Sequence, residues 1–125
     1  MSTTYFECFN NKLKEFLNDL LVSFPEMNDL KLLKNGLHLA TTIDVKMPQK
    51  FFNEHVASKY ETHILGKNEE FFLNETYEAV AQQHGFDLDI VSKIKGIWGT
   101  IDGENKEIVW KYLQVLILLN RKCKN

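Results

Sequence analysis

The chain has 125 residues, a formal net charge of -2 and 44% hydrophobic residues, and this composition excludes several classes of protein. Its six glycines and two prolines are too few for a loop-rich β-sandwich or a disordered chain. The slightly acidic balance gives no general electrostatic reason to bind nucleic acid or an anionic membrane. A chain of this length fits one domain, so we expect residues 1–125 to form a single domain.

The sequence carries no pattern typical of export or membrane insertion. Residues 1–5 lack the basic and apolar regions of a secretion signal. The longest uninterrupted apolar run, from Val115 to Leu119, is far shorter than the ~20 residues that a membrane span needs. We therefore expect a soluble, cytoplasmic protein.

Apolar residues near the start recur every three or four positions, which predicts two amphipathic helices. The first covers about residues 4–23 and stops before Pro25, because proline cannot continue a helix. Its apolar stripe consists of Phe6, Phe9, Leu13, Phe16, Leu17, Leu20 and Phe24. The second follows Asn28 or Asp29 as its N-cap. Its predicted core stripe consists of Leu30, Leu33, Leu37 and Ala40, and Ile43 is expected to continue the stripe at the end of the helix.

A third helix is predicted from Pro48, which suits a first helical turn, to Gly66, which suits a helix end. Its apolar residues keep a constant spacing of four: Phe52, Val56, Tyr60 and Ile64. The following stretch, residues 67–74, has the weakest periodicity in the chain.

The rest of the chain predicts short helices over about residues 75–83 and 87–98, and one long helix at the end. Asp102 is expected to cap the long helix, which runs to about Arg121 and is apolar over most of its circumference. Such a helix usually packs on several sides. We therefore predict an all-α fold, a compact bundle of five or six helices with the C-terminal helix central.

No motif for catalysis or cofactor binding is present. The histidines, at positions 38, 55, 63 and 84, lack the i, i+4 spacing that brings two imidazoles to one helical face. The sequence also lacks a glycine-rich phosphate loop and a Gly-x-Ser-x-Gly elbow. We expect a protein that is not an enzyme, with no catalytic residue, metal site, cofactor or small-molecule substrate.

The two cysteines, Cys8 and Cys123, lie near opposite ends of the chain. Two cysteines do not make a disulfide framework, so the simpler interpretation is a pair of free thiols in a reducing compartment. A bridge between them requires the first and last helices to be neighbours with their ends aligned. A helical bundle permits this arrangement without requiring it.

Two surface features are candidate contacts. Glu69, Glu70, Phe71 and Phe72 lie in the least regular segment, where two acids border an apolar pair as at the rim of a partner site. The alternative is that both phenylalanines fold back onto the core. A second candidate contact is the basic end of the chain, which the dipole of the last helix also explains: Arg121, Lys122 and Lys124.

Two segments resemble a known group of proteins. One runs from Ile94 to Leu119 and contains Ile-Lys-Gly-Ile-Trp and Glu-Asn-Lys-Glu-Ile-Val-Trp-Lys-Tyr-Leu-Gln-Val-Leu-Ile-Leu-Leu. The other, over residues 68–73, is Asn-Glu-Glu-Phe-Phe-Leu. Both resemble parts of small helical proteins of unassigned function encoded by large nucleocytoplasmic DNA viruses. The resemblance implies a viral origin and a location in the host cytosol or the virion, and it implies no activity.

These observations favour a non-enzymatic interaction or structural protein that acts through a surface patch, with a protein partner or self-association. One alternative is a helical enzyme or ligand-binding bundle whose site is assembled from dispersed residues. A further alternative is an accessory role with nucleic acid, which the net charge disfavours. A deep polar pocket favours the first alternative, whereas an exposed apolar patch favours the interaction protein.

Overall fold

The described part of the chain is built from helices joined by short turns. The computed structural model describes residues 4–70, 94 and 97–124, and no strand occurs in these ranges, which confirms the all-α prediction. In chain order the elements are α1 (Thr4–Ser23), α2 (Asn28–Ile43), α3 (Met47–Phe52), a π-helical segment (Asn53–Ala57), α4 (Ser58–Leu65), a 3-10 turn (Trp98–Thr100) and α5 (Gly103–Lys124). The predicted helix over residues 75–83, and most of the one over 87–98, lie outside the described residues.

α1 and α2 form a helical hairpin around a turn that contains Pro25. The middle of the predicted α1 stripe is buried in the core, whereas Phe6 and Phe24 at its ends are only half-buried. The buried residues are Phe9, Leu13, Phe16, Leu17 and Leu20. The predicted N-cap of α2 is wrong, because the cap position is Met27 and makes no side-chain hydrogen bond. Asn28 is already the first helical residue, and Asp29 lies in the first turn, where its carboxylate favours the helix dipole.

The core stripe of α2 ends one turn earlier than predicted. Leu30, Leu33, Leu37 and Ala40 are buried, but Ile43 is 74% exposed, so its predicted core position is wrong. The reason is helical phase, because ten residues after Leu33 an α-helix has turned Ile43 about 80° away from the stripe.

α3, the π-helical segment and α4 form one continuous rod. In an α-helix each step of four residues turns slightly more than a full circle, so three steps would carry an apolar stripe about 120° around the axis. The wider π-helical turn, in which the amide of Ser58 donates to the carbonyl of Asn53, absorbs this drift. As a result all four residues of the stripe face the core: Phe52, Val56, Tyr60 and Ile64.

The ends of this rod follow the sequence prediction. Pro48 lies in the first turn of α3, where its missing amide hydrogen costs nothing. Gly66 is the C-cap of α4. The left-handed backbone conformation belongs to the next residue, Lys67, with φ of 52°.

α5 packs against α1, α3, the π-helical segment and α4, which confirms its predicted central position. Its N-terminus is capped as predicted, because the Oδ1 atom of Asp102 accepts a hydrogen bond of 2.8 Å from the amide of Asn105. The rings of Trp98 and Trp110 are both buried and meet edge to face, with centroids 5.2 Å apart.

The outer face of α5 differs from the prediction of an almost fully apolar, enclosed helix. Ile108, Val115 and Leu118 are exposed. The side of the helix that packs on the bundle is buried at Leu113, Leu116 and Ile117. α5 is therefore central on one side and open on the other.

A buried polar cluster ties α5 to the rod. The Nε2 atom of Gln49 donates to the Oδ1 atom of Asn120 at 2.7 Å, and the Nδ2 atom of Asn120 donates to the Oδ1 atom of Asn53 at 3.1 Å. Gln49 and Asn120 are both buried, so each depends on these partners for its polar atoms. A third buried amide, Asn10, donates to the carbonyl of Val45 at 2.9 Å, but its Oδ1 atom has no donor.

Candidate partner-binding surface

The outer side of α2 carries a second apolar stripe that is largely exposed. Leu32, Leu39 and Ile43 are 63%, 61% and 74% exposed. Their spacings of seven and four residues keep them within about 40° of one another around the helix. They are centred roughly 120° from the core stripe, so α2 is apolar on two faces and only one of them is buried.

A groove between α1 and α2 adjoins this stripe. It has a volume of about 510 Å³, and Leu39 lines both the groove and the stripe. The other lining residues are polar: Lys14, Asn18, Lys34, Asn35 and His38. The groove and the stripe together are called the α2 surface below.

The ionisable side chains that line the groove are lysines and a histidine. Its lining includes two lysines and one histidine but no acidic residue. Within the described residues, neither Lys14 nor Lys34 forms an ion pair, whereas Lys12, Lys67 and Lys106 each pair with a glutamate. The α2 surface therefore combines exposed leucine and isoleucine side chains with a basic margin, which favours an anionic and partly apolar partner.

The predicted contact at residues 69–72 is only partly described, because Phe71 and Phe72 lie outside the described residues. Glu70 is exposed. Glu69 is also exposed, but it has partners within the protein, because its Oε1 atom accepts hydrogen bonds from the Nζ atom of Lys106 at 2.7 Å and from the indole of Trp98 at 3.0 Å. These two bonds, the one from Lys106 first, lower the pKa of Glu69 below its usual value.

Glu69 thus joins the segment after α4 to the start of α5 and to the tryptophan pair. The aromatic half of the predicted partner contact is not described, and the acidic residue nearest the core has an internal role. A partner contact at Glu69, Glu70, Phe71 and Phe72 stays a prediction.

The basic end of α5 divides into one paired and two unpaired cations. The guanidinium of Arg121 contacts both carboxylate oxygens of Glu61 on α4, at 3.2 and 3.4 Å. Lys122 and Lys124 are exposed, and neither forms an ion pair with a described residue. All three cations of the predicted basic contact are therefore exposed, with Arg121 also joining α5 to α4 through a surface ion pair, and a partner contact at this end stays a prediction.

A second cleft lies between the C-terminal end of α1 and the N-terminal end of α5. It has a volume of about 440 Å³, and Phe16, Phe24 and Ile108 are among its apolar lining residues. The hydroxyl of Tyr112 donates to the carboxylate of Asp19 on its wall. Burial first, and then this hydrogen bond, raise the pKa of Tyr112 well above its usual range, so the phenol is not placed to act as a base near neutral pH.

In residues 4–70, 94 and 97–124 no three His, Cys, Asp or Glu side chains are grouped to hold a metal ion. Within the same ranges, none of the helices combines the length and apolar character that crossing a bilayer requires.

The α2 surface was missed by the sequence prediction, although a signal for it exists. Leu32, Leu39 and Ile43 repeat at helical spacing, out of phase with the core stripe of the same helix. Two apolar stripes on one helix mean either burial on two sides or one face left for a partner. The sequence does not distinguish these outcomes, because it does not show that α2 lies at the edge of the bundle.

Comparison with known proteins adds no relative to this description. No protein-family model, no curated protein and no solved structure matches the chain.

Proposed function

We propose that the protein is a non-enzymatic interaction protein that binds an acidic amphipathic helix of a partner protein on the α2 surface. The observation that carries the proposal is the exposed stripe of Leu32, Leu39 and Ile43 beside a groove whose only ionisable lining residues are basic or histidine. Helix-in-groove recognition requires apolar anchors at helical spacing, and these three residues have that spacing.

The exposed stripe contributes part of the binding energy of such a complex. Each side chain is about two-thirds exposed, so covering it contributes about 1–2 kcal/mol, or five- to thirtyfold in Kd. Lys14 and Lys34 add electrostatic attraction that speeds association and selects acidic partners. The three side chains together contribute about 3–6 kcal/mol, which is less than the ~8 kcal/mol of a micromolar complex, so further contacts must offset the cost of association and we expect micromolar or weaker binding.

Charge favours a different protein over a second copy of this chain. A symmetric dimer through the α2 surface would place the two lysine-lined grooves close together, and like charges across an interface oppose association. An acidic partner meets the same lysines with opposite charge. Self-association is therefore an outcome that the experiment below distinguishes from partner binding.

The proposal is tested with a fluorescent helical peptide of about 18 residues that carries Leu on one face and Glu on the other. We expect saturable binding by fluorescence anisotropy, and at least ~10-fold weaker binding to the double variant Leu32→Ser/Leu39→Ser. Binding should also weaken between low and high salt, because the groove lysines are solvent-accessible.

Two controls distinguish binding at the α2 surface from non-specific binding. Leu118→Ser changes a leucine on α5 that is also exposed, at 51%, and should leave the affinity unchanged. A matched peptide with Lys in place of Glu should bind much more weakly. Equal affinity of the wild type and the double variant, or equal affinity for both peptides, contradicts the proposal.

Binding of a small ligand in the cleft beside Tyr112 is a second candidate function. Its volume of about 440 Å³ lies within the range of ligand sites, and its lining combines aromatic rings with Asp19 and Asp102. Such a cleft favours a ligand that joins an apolar body to a cationic group. A screen of organic amines by thermal shift tests this function, with Asp19→Asn as the variant that should lose any stabilisation.

The viral origin and the cytosolic or virion setting implied by the sequence resemblance remain predictions. They are compatible with an interaction protein and do not contribute to the choice of surface.

A further inference from the structure

The two cysteines lie on helices that pack side by side in opposite directions. The ring of Phe16 stacks on Tyr112 with centroids 4.7 Å apart, while the later part of α1, around Phe24, faces the earlier residues Thr100 and Asp102. α1 and α5 are therefore antiparallel neighbours, which is the condition that the sequence left open for a bridge between Cys8 and Cys123.

Helical phase places both cysteines on the seam between these helices. Cys8 lies eleven residues before Asp19, and Cys123 lies eleven residues after Tyr112, and Asp19 and Tyr112 are hydrogen-bonded to each other. Eleven residues are three turns of an α-helix to within about 20°, and they advance both helices by about 16 Å. Moving three turns along the seam from the Asp19–Tyr112 contact therefore leads to Cys8 on one helix and Cys123 on the other.

Contacts near that end of the seam support the alignment. Phe9, the neighbour of Cys8, packs edge to face on Phe52, with centroids 5.1 Å apart. One turn away on the same rod, Gln49 is hydrogen-bonded to Asn120, which lies one turn before Cys123. Phe9 and Asn120 thus contact the same part of the rod, at α3, and the two cysteines lie at the same level along the seam between α1 and α5.

The two thiols differ in their surroundings. Cys8 is exposed, and Cys123 is half-buried and packs on the edge of the core. Burial first, and then the proximity of Cys8, raise the pKa of Cys123 above its usual value. The accessible thiol of Cys8 is therefore the one that an external reagent meets first, and Cys123 is the protected neighbour.

We propose that Cys8 and Cys123 form an oxidation site that closes into an intramolecular disulfide with a small-molecule disulfide such as oxidised glutathione as the oxidant. The thiolate of Cys8 attacks one sulfur of the oxidant, a mixed disulfide forms on Cys8, and one thiol of the oxidant leaves. The thiolate of Cys123 then attacks the Cys8 sulfur, the protein disulfide forms, and the second thiol leaves. Two cysteine thiols are oxidised and one disulfide is reduced to two thiols.

The bridge would join the first helix to the last. Because it closes a loop of more than 100 residues, it removes much of the conformational freedom of the unfolded chain. We expect oxidation to raise Tm by on the order of 10 °C. The oxidised protein would also hold α1, which carries one side of the α2 surface, fixed against α5.

The test uses the full chain, reduced and then incubated with oxidised glutathione. We expect a monomer whose mass falls by two hydrogen atoms, a proteolytic fragment that joins the peptides of Cys8 and Cys123, and a higher Tm that dithiothreitol reverses. Disulfide-linked dimers, a lasting glutathione adduct on the wild-type chain, or thiols that stay reduced would each overturn the proposal.

Two single variants test the order of the steps. Cys123→Ser should retain glutathione on Cys8, because the resolving thiol is absent. Cys8→Ser should react more slowly at Cys123, and neither variant should gain stability from the oxidant. A bridge-like rise in Tm in either single variant would assign the effect to something other than this pair.

Discussion

The buried amide cluster of Gln49 and Asn120 gives the sharpest test of how α5 is held to the rod. Replacing Asn120 with Leu keeps a similar side-chain volume but leaves the Nε2 atom of Gln49 buried without its acceptor. A buried polar group without its partner costs about 1–3 kcal/mol. The hydrogen bond to Asn53 is lost as well, but Asn53 is only half-buried, so its oxygen can be solvated.

Gln49→Met makes the opposite change, because it leaves the Oδ1 atom of Asn120 without its donor, at a similar cost of about 1–3 kcal/mol. The double variant leaves neither group unpaired. Replacing both hydrogen-bond partners with apolar groups of similar shape is nearly neutral, so we expect the double variant within about 1 kcal/mol of the wild type.

Urea denaturation of the four proteins, followed by far-UV circular dichroism, measures this double-mutant cycle. The expected coupling free energy is about 1–6 kcal/mol, the sum of the two single costs minus that of the double variant, so the double variant is more stable than the sum of the single changes predicts. If the two destabilisations simply add, Gln49 and Asn120 do not depend on each other and the described cluster does not hold α5 in place.

The remaining predictions concern packing, ionisation and the π-helical segment. Leu113→Ala on the buried face of α5 should lower the free energy of unfolding by about 2–5 kcal/mol, whereas Leu118→Ala on the exposed face should change it by less than ~0.5 kcal/mol. Equal effects of the two variants in urea denaturation would contradict the described orientation of α5. Because the pKa of Tyr112 is raised on folding, its contribution to stability is present below about pH 10 and declines as the pH rises above that unfolded-state value. Tyr112→Phe should therefore flatten the alkaline loss of stability, and an unchanged slope would be evidence against the Asp19–Tyr112 contact. Deleting Glu54 should convert the π-helical turn to α-helix and retain a cooperatively folded protein, since spacings of three, four and four keep the apolar stripe within an arc of about 80° and bring Ile64 to within about 20° of Phe52. Loss of cooperative unfolding would show that the π-helical turn has a further role.

The sequence predicts most of the described fold because the core stripes have regular spacing. The stripe of α1 and the stripe of the α3 rod are buried as expected, and Pro48, Gly66 and Asp102 mark helix ends that the structure contains. The π-helical segment was not predicted, although a constant spacing of four residues is a physical signal for it, because a regular α-helix would rotate such a stripe out of the core.

The candidate site was harder to predict because it depends on which helices lie at the edge of the bundle. Leu39 and Leu113 have the same chemistry, but Leu39 is exposed on an outer helix and Leu113 is buried on a central one. Local sequence also does not show pairing over long distances. The bonds from Trp98 and Lys106 to Glu69 cross 29 and 37 residues, and they give an internal role to a residue that was predicted to contact a partner.

The most direct test of the central claim is an NMR titration of the 15N-labelled protein with the acidic amphipathic peptide. Binding at the α2 surface predicts saturable shift changes that cluster at residues 32–43 of α2 and at Lys14 and Asn18 of α1. The changes should disappear in the Leu32→Ser/Leu39→Ser variant and persist in Leu118→Ser. Shift changes confined to residues 69–72 or to the exposed face of α5, with α2 unaffected, would contradict the account and place the partner elsewhere.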